Sequence, residues 1–271
     1  MRLELISKYP ACQSPVPPLL FVHAAWHGAW CWDVHFLDFF SDNGFEAHAL
    51  SLRGHGQSEG RDKLRWTGIG SYVEDVAEVA RQMARPPIVI GHSLGGFVVQ
   101  VYLETHAVPA GILVAAIPPT GVLRPLLRAA LRHPWIFLKT QLTQDLYHFV
   151  ATPELAREAF FSSGISNELV EAYWRQLQNE SFLAFLSMCI GRPRPTRVKS
   201  PMLVLGARKD ATILPSEIEA TARVYGTTAQ IFPGMAHDMM LEPLWKDVAN
   251  AILAFATAIA GTPGPPEPNA S

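Results

Sequence analysis

Gly91-His92-Ser93-Leu94-Gly95 follows the short apolar run Ile88-Val89-Ile90, which is set off by Pro86-Pro87. It opens a second apolar run, Gly96-Phe97-Val98-Val99-Gln100-Val101-Tyr102-Leu103. The order reads as strand, sharp turn and helix, with a serine at the apex. A G-x-S-x-G serine in that setting is a nucleophile elbow. The turn strains the serine backbone, so its close neighbours must be small, and the glycines at 91, 95 and 96 meet that need. The helix N-terminus behind Ser93 favours negative charge developing beside the hydroxyl. The five-residue pattern alone is weak; the strand before it and the helix after it give it weight.

βα units recur on both sides of this stretch. Leu19 to His23, Glu46 to Leu50, 87–91, Ala110 to Ala116, Pro201 to Gly206 and Ala229 to Phe232 read as strands. Most are unbroken apolar runs, as expected where both faces of a sheet are covered. Residues 1–9 read as an edge strand. The prolines at 10, 15, 17 and 18 make a regular second strand there unexpected. Val73, Val76, Val79 and Met83, with acids between them, mark an amphipathic helix over 71–83. Helices are also expected through Phe36 and Phe39-Phe40, and over 95–106, 216–225 and 244–259. Repeated βα units imply an α/β fold with a mostly parallel central sheet flanked by helices, whose ligands collect at the carboxyl ends of the strands.

Pro118-Pro119 ends the alternation. Residues 118–198 hold no convincing strand and many aromatics, and are expected to form a helical cap over a core made of 1–117 and 199–261. The Pro/Gly-rich tail 262–271 is expected to be disordered. Arg124, Arg128 and Arg132 recur every four residues. A solvated helix face is favoured over a basic rim for an acidic substrate.

A serine hydroxyl needs a base, and the base needs an orienting carboxylate. His237 lies in a Gly/Pro-marked loop after the 229–232 strand, and Asp210 follows the 201–206 strand. No carboxylate follows the strand ending near Ala116, so Asp210 has no rival there. The candidate catalytic residues are therefore Ser93, Asp210 and His237. The oxyanion donors are assigned to the N–H groups of Leu94 and of Ala25, in the loop after the 19–23 strand. Asp238 is expected to point away from the base, and His92 to be supporting structure. Trp26, Phe97, Met235 and Met239 lie beside these positions in sequence and are candidates for the substrate pocket.

These features resemble the α/β-hydrolase superfamily over nearly the whole chain, through the elbow, the Arg53-Gly54-His55-Gly56-Gln57-Ser58 loop and the Gly-x-x-His ending at His237. The segment from His23 to Trp32, and that from Gly234 to Pro243, resemble the plant methylesterase and hydroxynitrile lyase branch and its bacterial relatives. The usual histidine–glycine pair of the oxyanion loop is His23-Ala24 here. Hydroxynitrile lyases of this branch carry threonine where Ala24 stands and lysine where Asp238 stands, so the resemblance favours hydrolysis over cyanohydrin chemistry. It implies cleavage of a small hydrophobic carboxylic ester, with no cofactor and no metal. Thioester, lactone or carbon–carbon cleavage by the same triad stays open, as does a non-catalytic ligand receptor on this scaffold.

The bulk numbers agree. The chain has 271 residues, 49% of them hydrophobic and 17% charged, with a net charge of −2 and no long basic run, so nucleic acid is not an expected partner. Cys12, Cys31 and Cys189 fit neither a disulfide framework nor a metal spacing. The N-terminus does not read as a signal peptide, and no stretch reaches the ~18 apolar residues of a membrane span. A cytoplasmic location is the expectation; oligomeric state is unreadable.

Overall fold

Alternating residues of the central strands belong to two separate cores, and this places the sheet between two helical layers. The computed structural model describes residues 1–12 and 15–261; the expected tail 262–271 lies outside them. Its strands are β1 (Glu4–Lys8), β2 (Leu19–Val22), β3 (Ala47–Ser51), β4 (Ile88–His92), β5 (Gly111–Val114), β6 (Met202–Ala207) and β7 (Ala229–Phe232). They form one sheet in the order β1-β3-β2-β4-β5-β6-β7, parallel throughout except that β1 runs antiparallel to β3.

Leu20, Val22, Leu50, Val89, Leu113 and Val204 face one core. There they meet α3 (Ile69–Gln82), α4 (Leu94–Tyr102) and α10 (Pro215–Val224). Leu19, Phe21, Ala49, Ile90, Ile112 and Leu205 face the other. There they meet α1 (Trp30–Asp33), α2 (Phe36–Asp42) and α11 (Trp245–Ala260). The period-2 pleat explains why these strands read as continuous apolar runs: each face has its own helices to cover it. On α3 the buried residues Ile69, Tyr72, Val76 and Val79 make one stripe. It shares Val76 and Val79 with the stripe expected from periodicity, while Val73 and Met83 are only half-buried at its edge.

Between β5 and β6 the chain makes five helices and no strand: α5 (Leu123–Arg132), α6 (Pro134–Thr143), α7 (Pro153–Phe160), α8 (Asn167–Trp174) and α9 (Phe182–Ile190). Side-chain caps start three of them. Thr152, Ser166 and Ser181 accept from the N–H groups of Leu155, Leu169 and Ala184. Glu180 joins this helical segment to the core. Its carboxylate accepts from the Tyr72 hydroxyl at 2.7 Å and lies 3.2 Å from His55 Nε2, with both ionisable side chains fully buried. Burial alone would raise its carboxyl. The charge of His55 and the hydrogen bonds from His55, Tyr72 and the Ser181 N–H outweigh that and hold it below the ordinary range.

Candidate active site

Ser93 sits between the end of β4 and the start of α4 with φ 51° and ψ −114°, outside the regions L-residues ordinarily occupy. Three backbone hydrogen bonds hold it there. Its N–H donates to Val114, and its carbonyl accepts from Phe97 and Ile117, each at 3.1 Å. Such over-determination is what a strained position needs to persist. The glycines are required by close approach. A Cβ on Gly91 would meet the backbone of Gly95 and Gly96, and one on Gly95 would collide with the carbonyls of Val22 and His23.

His237 and Asp210, from the loops after β7 and β6, are brought together across 27 residues of sequence. His237 Nδ1 donates to Asp210 Oδ2 at 2.7 Å, and both residues are buried. Asp210 Oδ1 accepts from the N–H groups of Thr212 (2.7 Å) and Ile213 (2.8 Å), which fixes the carboxylate plane. Burial pulls the imidazole pKa down. The charge and hydrogen bond of Asp210, with the charge of Asp238 added, outweigh it, so His237 stands above the ordinary histidine value of 6.5. His92 serves as support: its Nε2 donates to the His237 carbonyl at 3.0 Å. Burial, and next the charge of His237, push His92 down to about 3, so its ring is neutral.

The loop after β2 carries Ala24, Ala25 and Trp26. Trp26 has φ 65°, a left-handed conformation unusual for a bulky residue. Two bonds from the β5–β6 segment hold it: Trp26 Nε1 donates to the Leu146 carbonyl at 3.2 Å, and its own carbonyl accepts from the Gln178 N–H at 2.8 Å. Behind the loop His27 Nδ1 donates to the Ala25 carbonyl at 2.7 Å, while Nε2 lies 3.0 Å from Asp238 Oδ2. The Asp238 carboxylate bonds to His27 and not to the candidate base, although it stays within 4.8 Å of the His237 ring. Burial would raise its carboxyl, but the charges and hydrogen bond of His27, with His92 and His237 behind them, hold it below the ordinary value.

The loop of His237 is also tied to α7. The Asp238 N–H donates to the Phe160 carbonyl at 2.9 Å. Buried Glu242 accepts from the Ser162 N–H (2.5 Å), the Ser162 hydroxyl (2.7 Å) and the Ala236 N–H (3.3 Å). This network left no mark in the sequence, because His27 and Asp238 stand 211 positions apart. The one clue was adjacency: each is within two residues of a candidate site residue.

Ser93, His237, Ala25 and Trp26 line one cavity of about 200 Å³. The β5–β6 segment supplies most of its other walls, including Leu126 and Ala129 of α5, Phe149, and Phe160 of α7. Beyond Ser93 and His237, the cavity is apolar apart from Arg128, Arg132, His133, Glu158 and Thr212.

Two expectations are corrected here. Phe97, Met235 and Met239 do not line this cavity: Phe97 packs with the α3–α4 core, and the two methionines pack in the opposite core. Arg128 and Arg132 are not simply solvated. Arg128 forms a two-pronged pair with Glu217 (2.6 and 3.2 Å) and donates to the Thr212 carbonyl, and Arg132 pairs with Glu158. Only Arg124 of the three stays on the outer face, exposed and off the cavity.

Among the described residues, His92, His237 and Asp238 form the one group with metal-ligand types, their donor atoms within 4.8 Å of one another. Each has a partner that competes with a metal: the His237 carbonyl for His92, Asp210 for His237 and His27 for Asp238.

A strained serine between strand and helix, a histidine–aspartate pair from later loops and a seven-stranded, mostly parallel sheet define the class. The sequence model of the alpha/beta hydrolase family matches residues 19–251, and the chain belongs to that family. It is 26% identical over 269 residues to a non-heme chloroperoxidase of Burkholderia pyrrocinia, covering 89% of this chain and 92% of that one. Its fold is similar to that of a thermophilic esterase from Thermogutta terrifontis (TM-score 0.73, 18% identity, 95% of this chain and 94% of that one). It is also similar to that of a bromoperoxidase from Bacillus anthracis (TM-score 0.71, 15% identity, 94% and 96%). Among the described residues no helix is long and apolar enough to cross a membrane.

Proposed function

We propose that this chain is a serine hydrolase that cleaves hydrophobic carboxylic esters through an acyl-enzyme. The observation that carries the reading is that His237, anchored to Asp210 at 2.7 Å, shares an apolar cavity with the strained Ser93. In this reading the Ser93 hydroxyl bonds to the ester carbonyl carbon as its proton passes to His237 Nε2. The negative charge on the former carbonyl oxygen is met by the N–H groups of Ala25 and Leu94, each worth ~3 kcal/mol. Among the described residues neither N–H has an intramolecular acceptor, which supports the assignment. The tetrahedral adduct expels the alkoxide, which takes the proton from Nε2. Water, deprotonated by the same nitrogen, then releases the acid and restores Ser93.

Ser93→Ala is expected to fold normally and to lose p-nitrophenyl ester cleavage; more than a trace of remaining activity would sink the assignment. The natural chemistry is narrowed by a panel run with that control: esters of increasing length, thioesters, lactones and vinylogous diketones. Because the Burkholderia relative is named a chloroperoxidase, halide oxidation with hydrogen peroxide belongs in the panel. Fluorophosphonate labelling of Ser93 without turnover of any of these would favour a receptor role.

A further inference from the structure

α5 has two apolar faces. Leu126 and Ala129 line the cavity, while Leu123, Leu127 and Leu131, spaced by four, are exposed; Leu123 and Leu127 open onto a groove shared with Phe137 of α6 and Leu186 of α9. α6, packed against α5, adds the exposed Trp135, Leu138 and Leu142. Leu131, Trp135 and Leu142 are 76%, 80% and 77% exposed, so among the described residues nothing covers this apolar surface.

Its charge is one-sided. Residues 123–143 contain Arg124, Arg128, Arg132 and Lys139 and no acid. The unpaired cations among them are Arg124 and Lys139; without these two the chain's 22 basic and 24 acidic residues become 20 against 24, so two exposed cations stand on a body of net −4. Arg128 and Arg132 are paired with Glu217 and Glu158. Arg124 and Lys139 are exposed and have no acidic partner among the described residues. A second copy would bring the same cations against one another, which disfavours self-association through this face. An anionic partner that also accepts leucine and tryptophan side chains meets both requirements. A helix pair with exposed leucines, an exposed tryptophan and basic residues has the make-up of a surface that lies against a lipid interface.

We propose that the outer face of α5 and α6 docks on anionic phospholipid surfaces, placing the cavity behind α5 against the lipid. Docking is peripheral and independent of Ser93 chemistry.

Flotation with phosphatidylcholine vesicles, with and without phosphatidylglycerol, tests it. The protein is expected to float with the anionic vesicles only, and less in high salt. Arg124→Gln with Lys139→Gln is expected to lower partitioning about 25-fold, taking each charge as worth about fivefold. Leu131→Ser, Trp135→Ser and Leu142→Ser combined are expected to lower it by at least about tenfold. Both variants should keep wild-type turnover of a soluble short ester, which verifies folding. Ser93→Ala should float like wild type, so failure of the docking proposal is separable from failure of the catalytic one. No flotation, or equal flotation with neutral vesicles, overturns the proposal. So does a dimer in sedimentation velocity that the triple serine variant abolishes while vesicle binding is absent.

Discussion

Asp210→Asn separates the charge of the candidate acid from its shape. Asp210 Oδ1 already accepts from the N–H groups of Thr212 and Ile213, and those donors require an oxygen. The asparagine carbonyl must therefore stay on that side and its NH₂ must face His237 Nδ1. A donor there makes Nδ1 an acceptor and moves the ring proton to Nε2, the nitrogen that has to receive the Ser93 proton. The imidazole stays in place in the wrong tautomer. The expected loss is ~10⁴-fold in kcat, or about 5.5 kcal/mol of transition-state stabilisation.

The pH profile supplies a second readout. His237 is raised above 6.5 because Asp210 overcomes the effect of burial, so the acid limb of kcat/KM for a soluble p-nitrophenyl ester should lie above 6.5 in the wild type. With the carboxylate gone, burial dominates and the limb should move down. Stability follows the same linkage. A raised histidine contributes stability that is fully present below 6.5 and is lost as pH rises through the raised value. The wild type's advantage over Asp210→Asn in urea unfolding should therefore be largest on the acid side and shrink toward alkaline pH. An asparagine variant within tenfold of wild type, with its acid limb unmoved, would refute the reasoning.

Gly95→Ala drives a methyl into the Val22 and His23 carbonyls, both rigid backbone, and should cost ~3 kcal/mol in urea unfolding together with most of the activity. Glu242→Ala strands the N–H groups of Ser162 and Ala236; a loss of about 3 kcal/mol and a lower kcat are expected from unfolding and steady-state assays. Ala129→Phe fills part of the cavity wall, so kcat/KM should fall for long esters and hold for short ones across a chain-length panel.

The sheet was legible because buried parallel strands leave unbroken apolar runs, and the candidate site because its residues follow those strands in order. The pocket was not. Position next to Ser93 or His237 in the chain says little about where a side chain points: α4 is packed nearly all round, so Phe97 enters the core. Four-residue spacing put the three arginines on one stripe but could not say which way it faced. α5 is apolar on both sides; contact with α10 draws Arg128 inward, and Arg132 pairs with Glu158 of α7 while staying exposed. The His27–Asp238 pair arises only when the first and last loops of the fold meet.

The helical segment leaves β5 and returns at β6, the next strand in the sheet, so one crossover carries nearly all of the cavity's outer wall. In principle it could be exchanged for another without touching the strands that bear Ser93, Asp210 and His237. The tethers set the terms of such a graft. Residues 160–162 hold the His237 loop, and 178–181 hold Trp26, Gly56, His55 and Tyr72. A transplanted wall that keeps those two short stretches retains the posture of the loops beneath it. One that replaces them inherits a new wall at the expense of a slack Ala25–Trp26 loop.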